Sequence, residues 1–196
     1  MSFPRFAFKV LIPLWLAAAS GVSVAAAPAL KAGVFEPPRQ APEFALRGSD
    51  GSDLTLARYR GKVVLLSFGF TQCPAVCPTT LATLAQARSA LGSSADRVQV
   101  VFVTVDPERD GPAQLKAYLA AFDAGFVGGT GKPEVLAAMR RNYGVVAEKV
   151  PIGDSYAMDH TSSIFLIDRE GRLRAMMPYG RDAKDFVHDV KLLLAK

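Results

Sequence analysis

Four side chains in this 196-residue chain combine sulfur or imidazole with useful metal or redox reactivity: Cys73, Cys77, His160 and His188. The two cysteines lie in Phe70-Thr71-Gln72-Cys73-Pro74-Ala75-Val76-Cys77-Pro78, with three residues between them. A thioredoxin-type redox motif has two intervening residues, and a structural zinc site takes four N/S ligands. As a stabilising disulfide the pair is a poor candidate, because so short a loop removes little entropy from the unfolded chain. Two thiolates and one imidazole suit Cu(I) in trigonal coordination, and a water or a further ligand completes a site for Cu(II). Cys73 and Cys77 are therefore read as a redox-active or metal-binding pair.

The elements around the pair favour that chemistry. Residues 63–70 form an apolar run of the kind buried on both faces of a sheet. Residues 71–77 read as a loop, and Pro78 suits the first turn of a helix. Leu81, Leu84, Ala85, Arg88 and Leu91 mark the stripe of that helix, and Gly92 stops it. The cysteines thus sit where a strand ends and a helix begins, a place where ligands bind in α/β sheets and where the helix N-terminus favours thiolate. Residues four apart share a face in turn-like or helical backbone, so both sulfurs can reach one ion or each other.

The rest of the chain continues in alternation. Strands are expected at 98–105, 126–128 and 145–147, and helices at 112–122, 133–143 and 182–194. Residues 44–46 and 54–56 flank a turn and form an N-terminal hairpin, and 163–168 with 172–177 form a second one. This order predicts an α/β fold, a mixed central sheet flanked by helices.

His160 stands at a loop-to-strand junction after Tyr156, and a lone loop histidine is more often solvated than a ligand. His188, between Val187 and Asp189, reads as a surface residue of the last helix. Met158 faces the same side as His160 in extended backbone; packing is favoured over a thioether ligand for it. Asp159 either orients His160 or merely ends a loop. Asp106, at the end of a strand, belongs to a pocket rim or caps a turn. Two other motifs fail. Asp106-x-Glu108-x-Asp110-Gly111 starts like a calcium loop, but Ala117 stands where a bidentate Glu is needed. Residues 128–132 lack the first glycine and the Ser/Thr of a P-loop, having Phe126 and Pro133 there.

Composition narrows the class further. Half the residues are hydrophobic and 21% are charged, which excludes a disordered chain. The net charge is +5, and two of those charges, Arg5 and Lys9, belong to the N-terminal segment. Basic residues elsewhere are interspersed with acids, so nucleic-acid binding has no support. Arg5 and Lys9 precede an apolar run and an alanine-rich stretch, the pattern of a secretory signal peptide; a retained membrane anchor is the alternative. Either places the following domain outside the cytoplasm. The expected organisation is a signal peptide or anchor over 1–27, a linker over 28–42 and a single domain over 43–196.

The chain resembles the Sco/SenC family of copper chaperones for cytochrome c oxidase assembly, from about Phe35 to Leu194. The resemblance is carried by Cys-Pro-x-x-Cys-Pro at Cys73 to Pro78, Val-Asp-Pro-Glu-Arg-Asp at Val105 to Asp110, Met158-Asp159-His160-Thr161, and the Leu115, Tyr118, Leu119 and Phe122 pattern. It implies a thioredoxin-like fold and a copper site made of Cys73, Cys77 and His160, taking Cu(I), Cu(II) or both. It also implies a copper-accepting oxidase subunit as partner, with other copper chaperones or thioredoxin-like reductants as further candidates; the N-terminal segment implies a periplasmic location, either released or anchored in the inner membrane. The alternative is a thiol–disulfide oxidoreductase in which Cys73 attacks and Cys77 resolves. The family's usual acids at Ala75 and Thr79 are absent here, which leaves the site rim less acidic.

Overall fold

The structure is a computed structural model that describes Met1 and residues 29–195. Apart from Met1, the signal or anchor segment lies outside the described residues. Among the described residues no helix is long and apolar enough to cross a membrane.

Among the described residues, ten strands and four α-helices follow in the order β1 (Gly33–Gln40), β2 (Ala45–Gly48), β3 (Asp53–Thr55), β4 (Val63–Gly69), α1 (Val76–Ala90), β5 (Val98–Thr104), α2 (Pro112–Ala120), β6 (Val127–Thr130), α3 (Pro133–Tyr143), β7 (Ala147–Ile152), β8 (Ser155–His160), β9 (Ile164–Ile167), β10 (Arg172–Met177) and α4 (Ala183–Leu194). Eight strands form one mixed sheet in the order β1-β10-β9-β4-β5-β6-β2-β3, while β7 and β8 make a separate two-stranded ribbon. β4, β5 and β6 run parallel, and β9 is antiparallel to β4. The expected mixed sheet, N-terminal hairpin (β2–β3) and late hairpin (β9–β10) are all present.

β4 and β5 are buried along their full length, as their largely apolar runs require. Side chains alternate across β4. Phe68 points toward α3, where its ring meets Tyr143 at 5.9 Å. Gly69 points the other way, against Phe102 and the Cys77 sulfur at the start of α1. α1 buries Leu81, Leu84 and Ala87 and packs beside α4. Burying each leucine contributes about 2–3 kcal/mol. α2 lies close over β6, where a Cβ on Gly128 would stand 2.8 Å from Leu115 Cβ.

Two elements depart from expectation. Residues 28–42 read as a linker, yet β1 runs through them and pairs with β10. Its side chains are nearly all exposed, and a bulge accommodates Pro37 and Pro38, so neither pattern nor propensity marks it as a strand. What docks it is buried Asp189 of α4, whose carboxylate accepts the backbone N–H groups of Lys31 (2.8 Å) and Ala32 (2.9 Å). The second departure is the β7–β8 ribbon, which the strand expected at 145–147 meets only at Ala147. It places His160 at the end of a strand, not in a loop.

Candidate metal centre

The first turn of α1 lacks an ordinary cap. Its N-cap residue, Ala75, has no side-chain acceptor, and the Cys73 sulfur takes that role by accepting the backbone N–H of Cys77 at 3.3 Å. Cys73 is partly exposed, whereas Cys77 is 3% exposed and packs into the core. The two are not bonded to each other. Gly69 lets Cys77 sit this deep: a Cβ there would lie 2.8 Å from the Cys77 sulfur. Position at a helix start predicts a more acidic thiol, but for Cys77 burial wins. Desolvation pushes its thiol well up, and the nearby Cys73 and Asp110 add to the shift.

The ribbon carries His160 over this sulfur. Opposed pairs Ala147–His160, Lys149–Met158 and Pro151–Tyr156 share one face of β7–β8. On that face, His160 Nε2 lies 3.7 Å from Cys77 Sγ. His160 Nδ1 lies 2.9 Å from the Thr161 carbonyl. A carbonyl only accepts, so Nδ1 carries the proton and Nε2 presents its lone pair to the sulfur. The ring also meets Phe70 edge to face, with centroids 6.0 Å apart.

A polar cluster holds the ribbon down. Tyr156 donates its hydroxyl to Asp106 at 2.8 Å, and the Arg109 guanidinium lies 3.8 Å from the Tyr156 ring centroid. Arg109 ion-pairs with Asp106 through Nε and donates to the Tyr156 carbonyl and to Gln72 Oε1, each at 3.0 Å. Lys149 pairs with Glu108 at 2.6 Å. Beneath them, fully buried Asp110 accepts from the Thr71 amide (3.0 Å), the Thr71 hydroxyl (2.6 Å) and the Thr104 hydroxyl (2.7 Å). One carboxylate thereby ties the cysteine loop to the end of β5.

The fold brings Cys77 and His160 together directly and leaves Cys73 beside them on the helix start. Among the described residues no three His, Cys, Asp or Glu side chains already converge on one point. The donor chemistry nevertheless fits a soft ion. Metal–sulfur and metal–imidazole bonds of about 2.3 and 2.0 Å, opened to about 120°, put the two donors about 3.7 Å apart. That matches the spacing from Cys77 to His160, and the Cys73 sulfur lies on the same helix start, where it accepts the Cys77 N–H. Met158 is partly buried against the core, in keeping with packing. Asp159 does not orient His160; it stands opposite Glu148 on the outward face, and the Thr161 carbonyl does that work. Asp106 is a clamp for the ribbon and not an open rim, being 1% exposed. His188 contacts Asp189 at 2.9 Å, far along α4. Sequence reasoning missed Arg109, Tyr156, Asp110 and Thr161. The run Asp106 to Asp110 was the available signal for two of them.

Residues 35–195 match the SCO1/SenC family model. The chain is 35% identical over 157 residues to mouse "Protein SCO2 homolog, mitochondrial", a match covering 78% of this chain and 62% of the mouse protein, so it spans less than two thirds of that relative. Among solved structures, copper-bound ScoI of Bradyrhizobium japonicum superposes with a TM-score of 0.74 and 40% identity, covering 79% of this chain and 99% of that chain. BsSco, described as a member of the Sco family of cytochrome c oxidase assembly proteins with a disulfide switch, aligns with a TM-score of 0.66 and 25% identity over 81% of this chain and 95% of that chain.

Proposed function

The chain belongs to the SCO1/SenC family and has the family's thioredoxin-like fold, and on that premise we propose that it carries one copper ion on Cys73, Cys77 and His160 and passes it to a copper-accepting subunit of cytochrome c oxidase. The observation that carries this reading is the 3.7 Å approach of His160 Nε2 to Cys77 Sγ with Nδ1 committed to the Thr161 carbonyl. An imidazole held in that tautomer beside a thiol is set to coordinate a metal, whereas thiol–disulfide exchange does not require one. Copper binding by the Bradyrhizobium relative and the assembly role given for BsSco support the same assignment.

The residues divide the work. Cys77 is the buried donor, while His160 and Cys73 are both partly exposed. Cys73, partly exposed, is the donor that an incoming partner's ligand can displace or join. Oxidation to a Cys73–Cys77 disulfide removes both thiolates, so the site holds copper only when reduced. The protein acts outside the cytoplasm, delivered by the N-terminal segment as a cleaved signal or a membrane tether. Anaerobic titration with Cu(I) and Cu(II) tests the site. Cys73→Ser, Cys77→Ser and His160→Ala are each expected to weaken binding by at least tenfold. Undiminished affinity in His160→Ala would refute the three-ligand site and favour thiol–disulfide exchange, in which Cys73 attacks, Cys77 resolves and the histidine is dispensable.

A further inference from the structure

Ser67 interrupts the otherwise apolar core of β4 and is 3% exposed. Its hydroxyl is buried and has no hydrogen-bond partner among the described residues. A buried hydroxyl left unpaired is costly, and such groups are nearly always satisfied by protein or by ordered water. Ser67 is two residues before Gly69, so both project from the same face of β4 toward α1. The Cys77 sulfur rests against that face, directly over Gly69.

Between them lies a small cavity whose wall combines Ser67, Cys77, Thr80, His160 and Ser162 with the apolar side chains of Phe68, Val76 and Phe102. The space open to a water's centre is ≈ 10 Å³, at the lower edge of the roughly 10–15 Å³ that a single water needs. Wholly apolar cavities stay dry; this one has three hydroxyl-bearing residues, a cysteine and a histidine in its wall beside the apolar ones. It has room for one molecule and enough polar partners to hold it.

We propose that this cavity is a single-water site in which Ser67 anchors a water that donates a hydrogen bond to Cys77 Sγ. The water accepts from a lining hydroxyl and spends one of its own O–H groups on the sulfur, the only hydration that so deeply placed a sulfur can receive. Its bearing on copper rests on the function proposed above; the water site itself does not. Hydrogen bonding draws electron density from a thiolate, so Ser67 is a positioning residue that tunes the inner sulfur without touching the metal.

Two variants and two readouts decide the matter. Ser67→Ala removes the anchor, and Ser67→Val also fills the space. In a high-resolution crystal structure of the reduced, metal-free protein, one ordered water is expected within hydrogen-bond distance of Ser67 Oγ and Cys77 Sγ, and none in Ser67→Val. A dry wild-type cavity overturns the proposal whether or not copper binds. In Cu(II)-loaded protein, the sulfur-to-copper charge-transfer band is expected to move to longer wavelength in both variants. A proton coupling that exchanges in D₂O is expected to disappear with it in Ser67→Val. An unmoved band in both variants, with the water present in wild type, overturns its role toward the sulfur. Failure of wild type to take up copper refutes the proposed function and leaves the crystallographic arm decisive for the water.

Discussion

Replacing Gly69 by alanine tests how Cys77 is seated. The added Cβ would lie 2.6 Å from Phe102 Cε2 and 2.8 Å from Cys77 Sγ. Ordinary carbon contacts begin near 3.5 Å, so ring and sulfur must retreat by roughly 0.7–0.9 Å together. The ring has little room to do so: Phe102 is 2% exposed and is backed by the Tyr118 ring at 6.2 Å. Gly69 has no left-handed φ, so the effect is pure overpacking and not backbone strain. One surplus methyl in a tight core costs about 1–3 kcal/mol. Urea unfolding of the reduced, metal-free protein reads that cost as a lower midpoint. The same displacement carries Sγ off its 3.7 Å spacing from His160, and a loss of about 1.4 kcal/mol there is a tenfold fall in affinity. Anaerobic Cu(I) competition against a chromogenic chelator measures it. Gly131→Ala is the control, since its Cβ would meet only Leu46 at 3.5 Å. Gly69→Ala with wild-type stability and wild-type copper affinity would refute the packing argument.

Tyr156→Phe keeps the ring under Arg109 but removes the bond to buried Asp106. We expect a loss of about 1–2 kcal/mol and faster amide exchange in β8; unchanged exchange would mean that the clamp does not hold the ribbon. Asp189→Ala strips the acceptor from the Lys31 and Ala32 amides. It should destabilise the fold by about 2–4 kcal/mol and free β1 to exchange, and a protected β1 in that variant would show that pairing to β10 suffices. Asp50 is held down to about 2, first by the Ser52 hydroxyl and, against a smaller desolvation penalty, by the Ser52 amide and Arg58. Its unfolded value is about 3.9, so its stabilising contribution is present above that pH and is lost as pH falls through about 2. Wild type should therefore exceed Asp50→Asn in urea midpoint near pH 6, and the gap should close as pH falls below about 2; a gap persisting at about pH 1 would assign the difference to packing instead.

The parts of the fold that were legible from sequence are those whose side chains meet an apolar core. β4 and β5 announce themselves as largely apolar runs, and α3 begins and ends where Pro133 and Gly144 dictate. The β7–β8 ribbon inverts that logic. Its outward face carries Val150 and Ile152, exposed at 45% and 62%, while Lys149, Tyr156 and His160 turn inward. They turn inward because the surface beneath is not apolar: it is the Asp106, Glu108 and Arg109 cluster, which rewards cations, a hydroxyl and an aromatic face. A reading based on hydrophobic periodicity cannot register such a strand, since the residues that hold it down are those it assigns to solvent. β1 escapes for the related reason that one carboxylate on α4, and not its own side chains, fixes its start.

The same distinction separates the three proposed ligands. The two cysteines could be singled out by local rules alone, from their spacing and their place between a buried strand and a helix. His160 is 83 residues from Cys77 in sequence, and nothing within its own segment says where it points. Its position depends on Tyr156 reaching Asp106 and on Arg109 gripping both Gln72 and the Tyr156 carbonyl. Arg109 thus joins the cysteine loop to the ribbon that bears the histidine. The motif at Val105 to Asp110 is therefore part of the site's construction although it supplies no ligand: Asp110 sets the loop that carries the cysteines, and Asp106 with Arg109 sets the ribbon that carries the imidazole.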